Sequence, residues 1–252
     1  MARRDSYVPG TPSWVDLAAD DLEGARSFYG DLFGWESDVS DDPSTGGYTT
    51  FRQDGLAVAG AGGKMGPMPD AWTVYMSVEE AASSLARVAD SGGSVVAGPM
   101  DILEEGVLGI FTDPTGTFAG VWQPKHHTGA QLVNVPNTFC WNELATSDLS
   151  TSAAFYSTVF GWQAGEGDGG GTIFLDSEGS VICGAHEAGE GEFPAWSIWF
   201  AVEDCDATVA EVTDAGGQVF MPPNDMGFGR GAVVAAPGGA VFGVARLTDA
   251  DD

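Results

Sequence analysis

Basic residues are scarce in this chain. Lys and Arg total 9 against 37 Asp and Glu, a formal charge of −28 over 252 residues. Such a surface repels nucleic acid and anionic membranes and attracts cationic small molecules, within a screening length of about 10 Å at ordinary salt. Solubility alone is the plainer reason for the same charge. Cysteine is scarce too. Cys140, Cys183 and Cys205 are odd in number and lack C-x-x-C spacing, so neither a disulfide framework nor a zinc ribbon is expected. No apolar run approaches the roughly 18 residues of a membrane span. The opening "MARRDSYVPGTPSW" has no apolar stretch behind its arginines, so no secretory signal is read there. These absences lead to the expectation of a cytoplasmic protein with neither nucleic acid nor membrane as partner.

What is present is aromatic and repetitive. The chain holds 8 Trp, 14 Phe and 37 Gly, enough for a packed core of short strands and tight turns. "WVDLAADDLEGARSFYGDLFGW" (Trp14 to Trp35) returns as "WNELATSDLSTSAAFYSTVFGW" (Trp141 to Trp162). Each copy opens with an alternating run that predicts a half-buried strand. Asp21 and Asp148 are N-cap candidates, apolar residues follow at helical spacing, and Gly34 and Gly161 stop the helix. Later, "AWTVYMSVEE" matches "AWSIWFAVED", and the turns "DPTG" and "APGG" fall in corresponding places. Helix starts are expected near Asp21, Glu79, Asp148 and Glu203. Hairpins turning at Asp54-Gly55 and Glu178-Gly179 lie between the first helix and the second strand-helix of each half. "AVAGAGGKMG" (Ala57 to Gly66) reads as strand plus loop, and "GEGDGGGT" (Gly165 to Thr172) as loop, since neither has the context of a phosphate-binding turn.

The predicted fold is therefore α+β, in two tandem domains, residues 1–125 and 137–252, with a linker at 126–136. Each domain pairs two βαβββ units. A sheet with helices on one face leaves the other face concave, so each pair is expected to form a cup.

Helix and turn phrases of this kind, "DLEGARSFYGDLFGW" with a distal "DPTG", resemble the vicinal oxygen chelate superfamily. That superfamily includes glyoxalase I, extradiol dioxygenases and bleomycin-resistance proteins, and the two-domain form is similar to actinobacterial proteins labelled glyoxalase-like or hydroxylase. The resemblance spans about Pro12 to Leu247 and implies the paired-unit fold. It also implies where a divalent ion would be held: at Trp14, Thr73 and Gly120 in the first cup, and at Trp141, Ser197 and Gly243 in the second. None of these six supplies an imidazole or carboxylate, and an indole N–H only donates. No metal and no other cofactor is expected. The histidines are few: His126 and His127 in the linker, read as solvent-facing, and His186 near a strand end. Asp16 and Glu143 lie two residues beyond Trp14 and Trp141, on the same strand faces, and offer either a displaced ligand or a carboxylate held by backbone or by Arg52.

Aromatic residues stand where ligands would. Trp14, Asp16, Thr73, Tyr75 and Trp122 are candidates for lining the first cup, and Trp141, Glu143, Ser197 and Trp199 for the second. Core filling is the competing account, and it is favoured for Phe28, Trp35, Phe155 and Trp162. A ring-walled cup suits a bulky planar aromatic ligand, preferably cationic. The expected function is metal-free binding of such a natural product, for self-protection or relief of product inhibition. The alternative is a glyoxalase-like or hydroxylase-like enzyme acting on a small or aromatic metabolite. The oligomeric state is left as monomer or homodimer.

Overall fold

In the computed structural model, the described residues are 2–64, 66–167, 171–227 and 229–247. The first half runs β1 (Pro12–Ala19), α1 (Leu22–Phe33), β2 (Glu36–Val39), β3 (Thr49–Gln53), β4 (Leu56–Gly63), then β5 (Ala71–Ser77), α2 (Ala81–Asp90), β6 (Ser94–Ile102), β7 (Gly106–Thr112) and β8 (Phe118–Pro124). The second half runs β9 (Phe139–Thr146), α3 (Leu149–Phe160), β10 (Gln163–Glu166), β11 (Thr172–Leu175), β12 (Val181–Glu187), then β13 (Ala195–Ala201), α4 (Cys205–Asp214), β14 (Gln218–Met226), β15 (Gly229–Ala235) and β16 (Val241–Leu247). Each half is thus two βαβββ units in sequence. Within the two glycine-rich stretches, Met65 and residues 168–170 lie outside the described residues, as do residues 248–252 of the second domain.

The helix boundaries follow from their caps. Asp21 Oδ1 accepts the Gly24 N–H at 2.9 Å, and Asp148 Oδ1 accepts that of Thr151 at 2.9 Å. Gly34 and Gly161 end α1 and α3 at φ +69° and +77°, a left-handed conformation that a side chain would strain. The other two helices have their caps one residue beyond Glu79 and Glu203, at Glu80 and Asp204.

Two open eight-stranded sheets result, ordered β2-β3-β4-β1-β5-β8-β7-β6 and β10-β11-β12-β9-β13-β16-β15-β14. In each, the two units meet through an antiparallel central pair, β1 with β5 and β9 with β13. Side chains alternate across these strands. Trp14 and Asp16 take the concave face, while Val15 and Leu17 take the convex face with the helices.

The convex faces are joined by rings. Phe242 of β16 meets Phe28, Tyr29 and Phe33 of α1 at centroid distances of 6.5, 5.7 and 6.1 Å. Phe200 of β13 meets Phe33, Trp35 and Trp72 at 5.2–5.4 Å. On the other side Phe111 of β7 meets Phe155 and Phe160 of α3, each at 6.0 Å. Buried indoles are satisfied across the same seam: Trp162 Nε1 donates to Gly10 O at 2.6 Å, and Trp35 Nε1 to Asn137 O at 2.7 Å. The duplicated phrase is therefore core, as read from the sequence for Phe28, Trp35, Phe155 and Trp162, and its core belongs to both domains at once.

Phe242→Ala is expected to cost about 3–5 kcal/mol, the usual range for emptying a ring-sized site in a packed interior. Because the site is shared, denaturant unfolding followed by tryptophan fluorescence and by circular dichroism should show one common transition, shifted to lower denaturant. Two separate transitions would show that the domains fold independently of the seam.

Candidate functional site

The two concave faces begin from the same plan and diverge at a few positions. In each, a residue on the last strand of a unit must be glycine so that a neighbour can lie across it. A Cβ at Gly60, Gly120, Gly184 or Gly243 would run into Tyr48, Tyr75, Glu143 or Trp199, respectively. Gly120 and Gly243 are two of the positions that resemblance assigns to metal ligands. A carboxylate there would displace Tyr75 or Trp199.

The first cup is filled by its own side chains. Trp14, Tyr75 and Trp122 are 3%, 5% and 5% exposed. Trp14 Nε1 donates to the Tyr48 hydroxyl at 3.1 Å, and the Tyr75 hydroxyl donates to Asp16 Oδ1 at 3.1 Å. Thr73 is partly exposed beside them, paired in register with Asp16. The linker adds a further ring. His126 is exposed, but His127 turns inward, its ring 4.3 Å from Trp14 and 5.6 Å from Trp122, and Trp122 Nε1 donates to its carbonyl at 2.8 Å. The expectation that both linker histidines face solvent is thus corrected for His127, because the two tryptophans present an apolar slot that the ring fills. Burial, and secondarily Arg52, pushes the His127 pKa down to about 4, so it is neutral at pH 7. Arg52 itself pairs with Asp38 at 2.9 Å rather than with Asp16.

Asp16 retains some solvent contact, yet the protein around its carboxyl pushes its pKa up to about 7, against the lowering effect of the Tyr75 and Tyr48 hydroxyls. It is a carboxyl near half-protonation among rings, and among the described residues no cation is paired to it.

The second cup keeps a tryptophan on each central strand and exchanges other rings. Trp199 pairs in register with Trp141, and Ser197 with Glu143. Strand register equates Tyr48 with Gly171, since Thr49 opposite Ala61 corresponds to Thr172 opposite Ala185. It equates Trp122 with Ala245, as Ser77 opposite Trp122 corresponds to Ala201 opposite Ala245. Gly62, opposite Ala18, becomes His186, opposite Ala145. Two large rings are replaced by glycine and alanine, and an imidazole enters. Trp141, Glu143, Ser197 and His186 are all partly exposed.

A charged relay crosses this cup. Trp141 Nε1 donates to Glu143 Oε2 at 2.9 Å, Glu143 Oε1 lies 3.1 Å from His186 Nδ1, and His186 Nε2 lies 3.0 Å from Glu192 Oε1. Glu143 and then Glu192 raise the His186 pKa to about 9, outweighing partial burial, so the ring is an imidazolium at pH 7. His186 was legible in the sequence only as a strand-end residue, and Glu192 and Tyr48 carried no signal there. The pairing of Glu143 with His186 comes from parallel β9 and β12, which only the sheet reveals.

These residues do not fit a divalent ion. The six family positions supply indole, hydroxyl and glycine. In the second cup, His186 spans two carboxylates with its two ring nitrogens, so the donors do not converge on one point. Among the described residues no group of three or more His, Cys, Asp or Glu is arranged to hold a metal. Nor is a thiolate at hand, since burial pushes Cys140 up to about 12 and raises Cys183 as well. Two interdomain hollows of about 310 and 270 Å³ lie along the ring seam and include none of the predicted site residues. No described helix is long and apolar enough to cross a membrane.

The two titrations have opposite senses. Asp16 holds its proton more tightly folded than unfolded, so stability falls as pH rises from about 4 through about 7. Asp16→Asn should flatten that fall, giving a gain over wild type that is larger at pH 8 than at pH 5 in denaturant unfolding. His186 has a raised folded value, so its contribution is complete below about 6.5 and is lost as pH rises through about 9. An NMR titration should place its midpoint near 9, and Glu143→Gln should lower it.

Comparison with known proteins agrees with this geometry. The model of the glyoxalase/bleomycin resistance protein/dioxygenase superfamily matches residues 11–118 and again 138–244. "Anthracycline biosynthesis protein DauV" of Streptomyces sp. (strain C5) is 35% identical over 97% of this chain and 96% of its own length. "Putative glyoxylase CFP32" of Mycobacterium tuberculosis (strain CDC 1551 / Oshkosh) is 37% identical over 98% of both. The Mn(II)-bound glyoxalase from Novosphingobium aromaticivorans covers all of this chain with a TM-score of 0.64 at 15% identity, a likeness of fold. Two family matches, one on each cup-shaped domain, make this chain a two-domain member of the glyoxalase/bleomycin resistance protein/dioxygenase superfamily.

Proposed function

We propose that the protein binds a planar, fused-ring aromatic natural product in the second cup, without a metal. The observation that carries this reading is the paired replacement of Tyr48 by Gly171 and of Trp122 by Ala245. With those two rings gone, Trp141 is partly exposed where its counterpart Trp14 is buried, beside Trp199, Glu143 and His186. Burying a few hundred Å² of ring surface at about 25 cal/mol per Å² gives several kcal/mol, compatible with micromolar binding after the entropy cost of association. Exposed Glu187, Glu190 and Glu192 stand on the strand end and loop beside His186, and the net charge is −28, so a ligand carrying an amine is favoured. A relative named for anthracycline biosynthesis supports a ligand of this class. Sequestration, for self-protection or to relieve product inhibition, is the role such a site serves without any reacting group.

Calorimetry with an amino-substituted anthraquinone tests this. Trp141→Ala should weaken binding about tenfold, equivalent to roughly 1.4 kcal/mol, while Trp14→Ala should leave it within twofold once folding is verified. Chelator treatment should change neither value. Equal losses in both variants, or loss on chelation, would remove the second cup from the reading.

A further inference from the structure

The relay in the second cup ends on a group that is easily displaced. Glu192 belongs to the loop between β12 and β13, and its side chain is 42% exposed. Its Oε2 accepts the Gly189 N–H at 2.9 Å, so the loop curls around the carboxylate that reaches His186. An exposed ion pair of this kind contributes little to stability. The other end of the relay is better anchored. Glu143 is 27% exposed at its side chain, sits over Gly184, and is held by Trp141 Nε1 as well as by His186 Nδ1. Glu143 thus sets the imidazole's orientation, and Glu192 only occupies its outward nitrogen. The same register position in the first cup is Gly62, so the imidazole is found in the cup where the strand tryptophan, Trp141, is partly exposed. Phe193, next to Glu192, is 87% exposed, an apolar ring on the loop that would be released.

We propose that the ring ligand of the second cup carries a phenolic oxygen that takes the place of Glu192 on His186 Nε2. His186 keeps its proton and donates it in a charge-assisted hydrogen bond. The phenol's proton leaves to solvent, and Glu192 is freed at the rim, where it can pair with an amine on the same ligand. Glu192 is in this sense a stand-in for the ligand's anionic oxygen. The proposal rests on the second cup being the binding site and narrows its ligand to hydroxylated rings.

The test compares a hydroxyanthraquinone with its O-methyl ether, by calorimetry and by visible absorption. The ether keeps the ring and loses the acidic oxygen. Wild type should prefer the hydroxylated compound by about tenfold, and the bound form should show the phenolate band at a pH where the free compound does not. Glu192→Ala should tighten the hydroxylated compound several-fold and leave the ether unchanged. His186→Gln should abolish both the preference and the phenolate band while the ether still binds. If both compounds bind through Trp141 but neither variant changes the preference, this assignment is overturned and the cup reading survives. Glu192→Ala shifting both compounds alike would likewise overturn it. If neither compound binds, both readings fall together.

Discussion

Every strand of the two central pairs has to serve two surfaces, and the ring seam between the domains settles how. Phe242 and Phe200 reach out of the second sheet into α1 and its flanking tryptophans, while Phe111 reaches out of the first into α3. Because side chains alternate, committing these residues to the seam leaves the intervening ones on the concave faces. Trp14, Tyr75, Trp141 and Trp199 are directed into the cups by the same parity that buries Val15, Val74, Ile198 and Phe200 on the opposite side. The seam also explains why the helical phrase is kept so closely in both copies. Each copy packs onto the other half, so a change in one would have to be met by a change in the partner sheet.

The concave faces carry no such mutual constraint, and there the halves differ. In the first, Tyr48 crosses Gly60 and Gly62, and Trp122 closes on His127 from the linker. In the second, glycine and alanine stand in their places and His186 rises where Gly62 lay flat. A duplicated cup carries tyrosine and tryptophan on one side, and glycine, alanine and an imidazole in the corresponding places on the other. The first cup then stabilises the fold through buried rings and their hydrogen bonds, while the second holds a charged relay in the corresponding place.

The two cup carboxylates show how surroundings set chemistry at equivalent positions. Asp16 has the Tyr75 and Tyr48 hydroxyls for partners, and burial pushes its pKa up to about 7. Glu143 has an indole N–H and an imidazolium, and it raises that imidazolium in turn. One carboxyl behaves as a partly neutral member of a core, the other as the anchored end of a charged relay. Among the described residues neither converges with further His, Cys, Asp or Glu donors, so neither cup offers a donor set for a metal.

Composition and repetition in the sequence determined a great deal: the domain count, the βαβββ units, the helix caps at Asp21 and Asp148, and the parity that places Trp14 with Asp16 and Trp141 with Glu143. All of these depend on local spacing, which a one-dimensional pattern preserves. The ring residues of the duplicated phrase were legible as core for the same reason, though not that their core lies between domains. Tertiary structure alone decided how the two cups differ. His127 looked like a linker histidine until two tryptophans, distant in sequence, enclosed it. His186 and Glu143 are far apart along the chain and meet because β12 runs parallel to β9, and parallel pairing across a crossover leaves no local signature. Tyr48 and Gly171 fall at the start of strands whose register is set by their neighbours, so their exchange could be seen only after the sheets had aligned them.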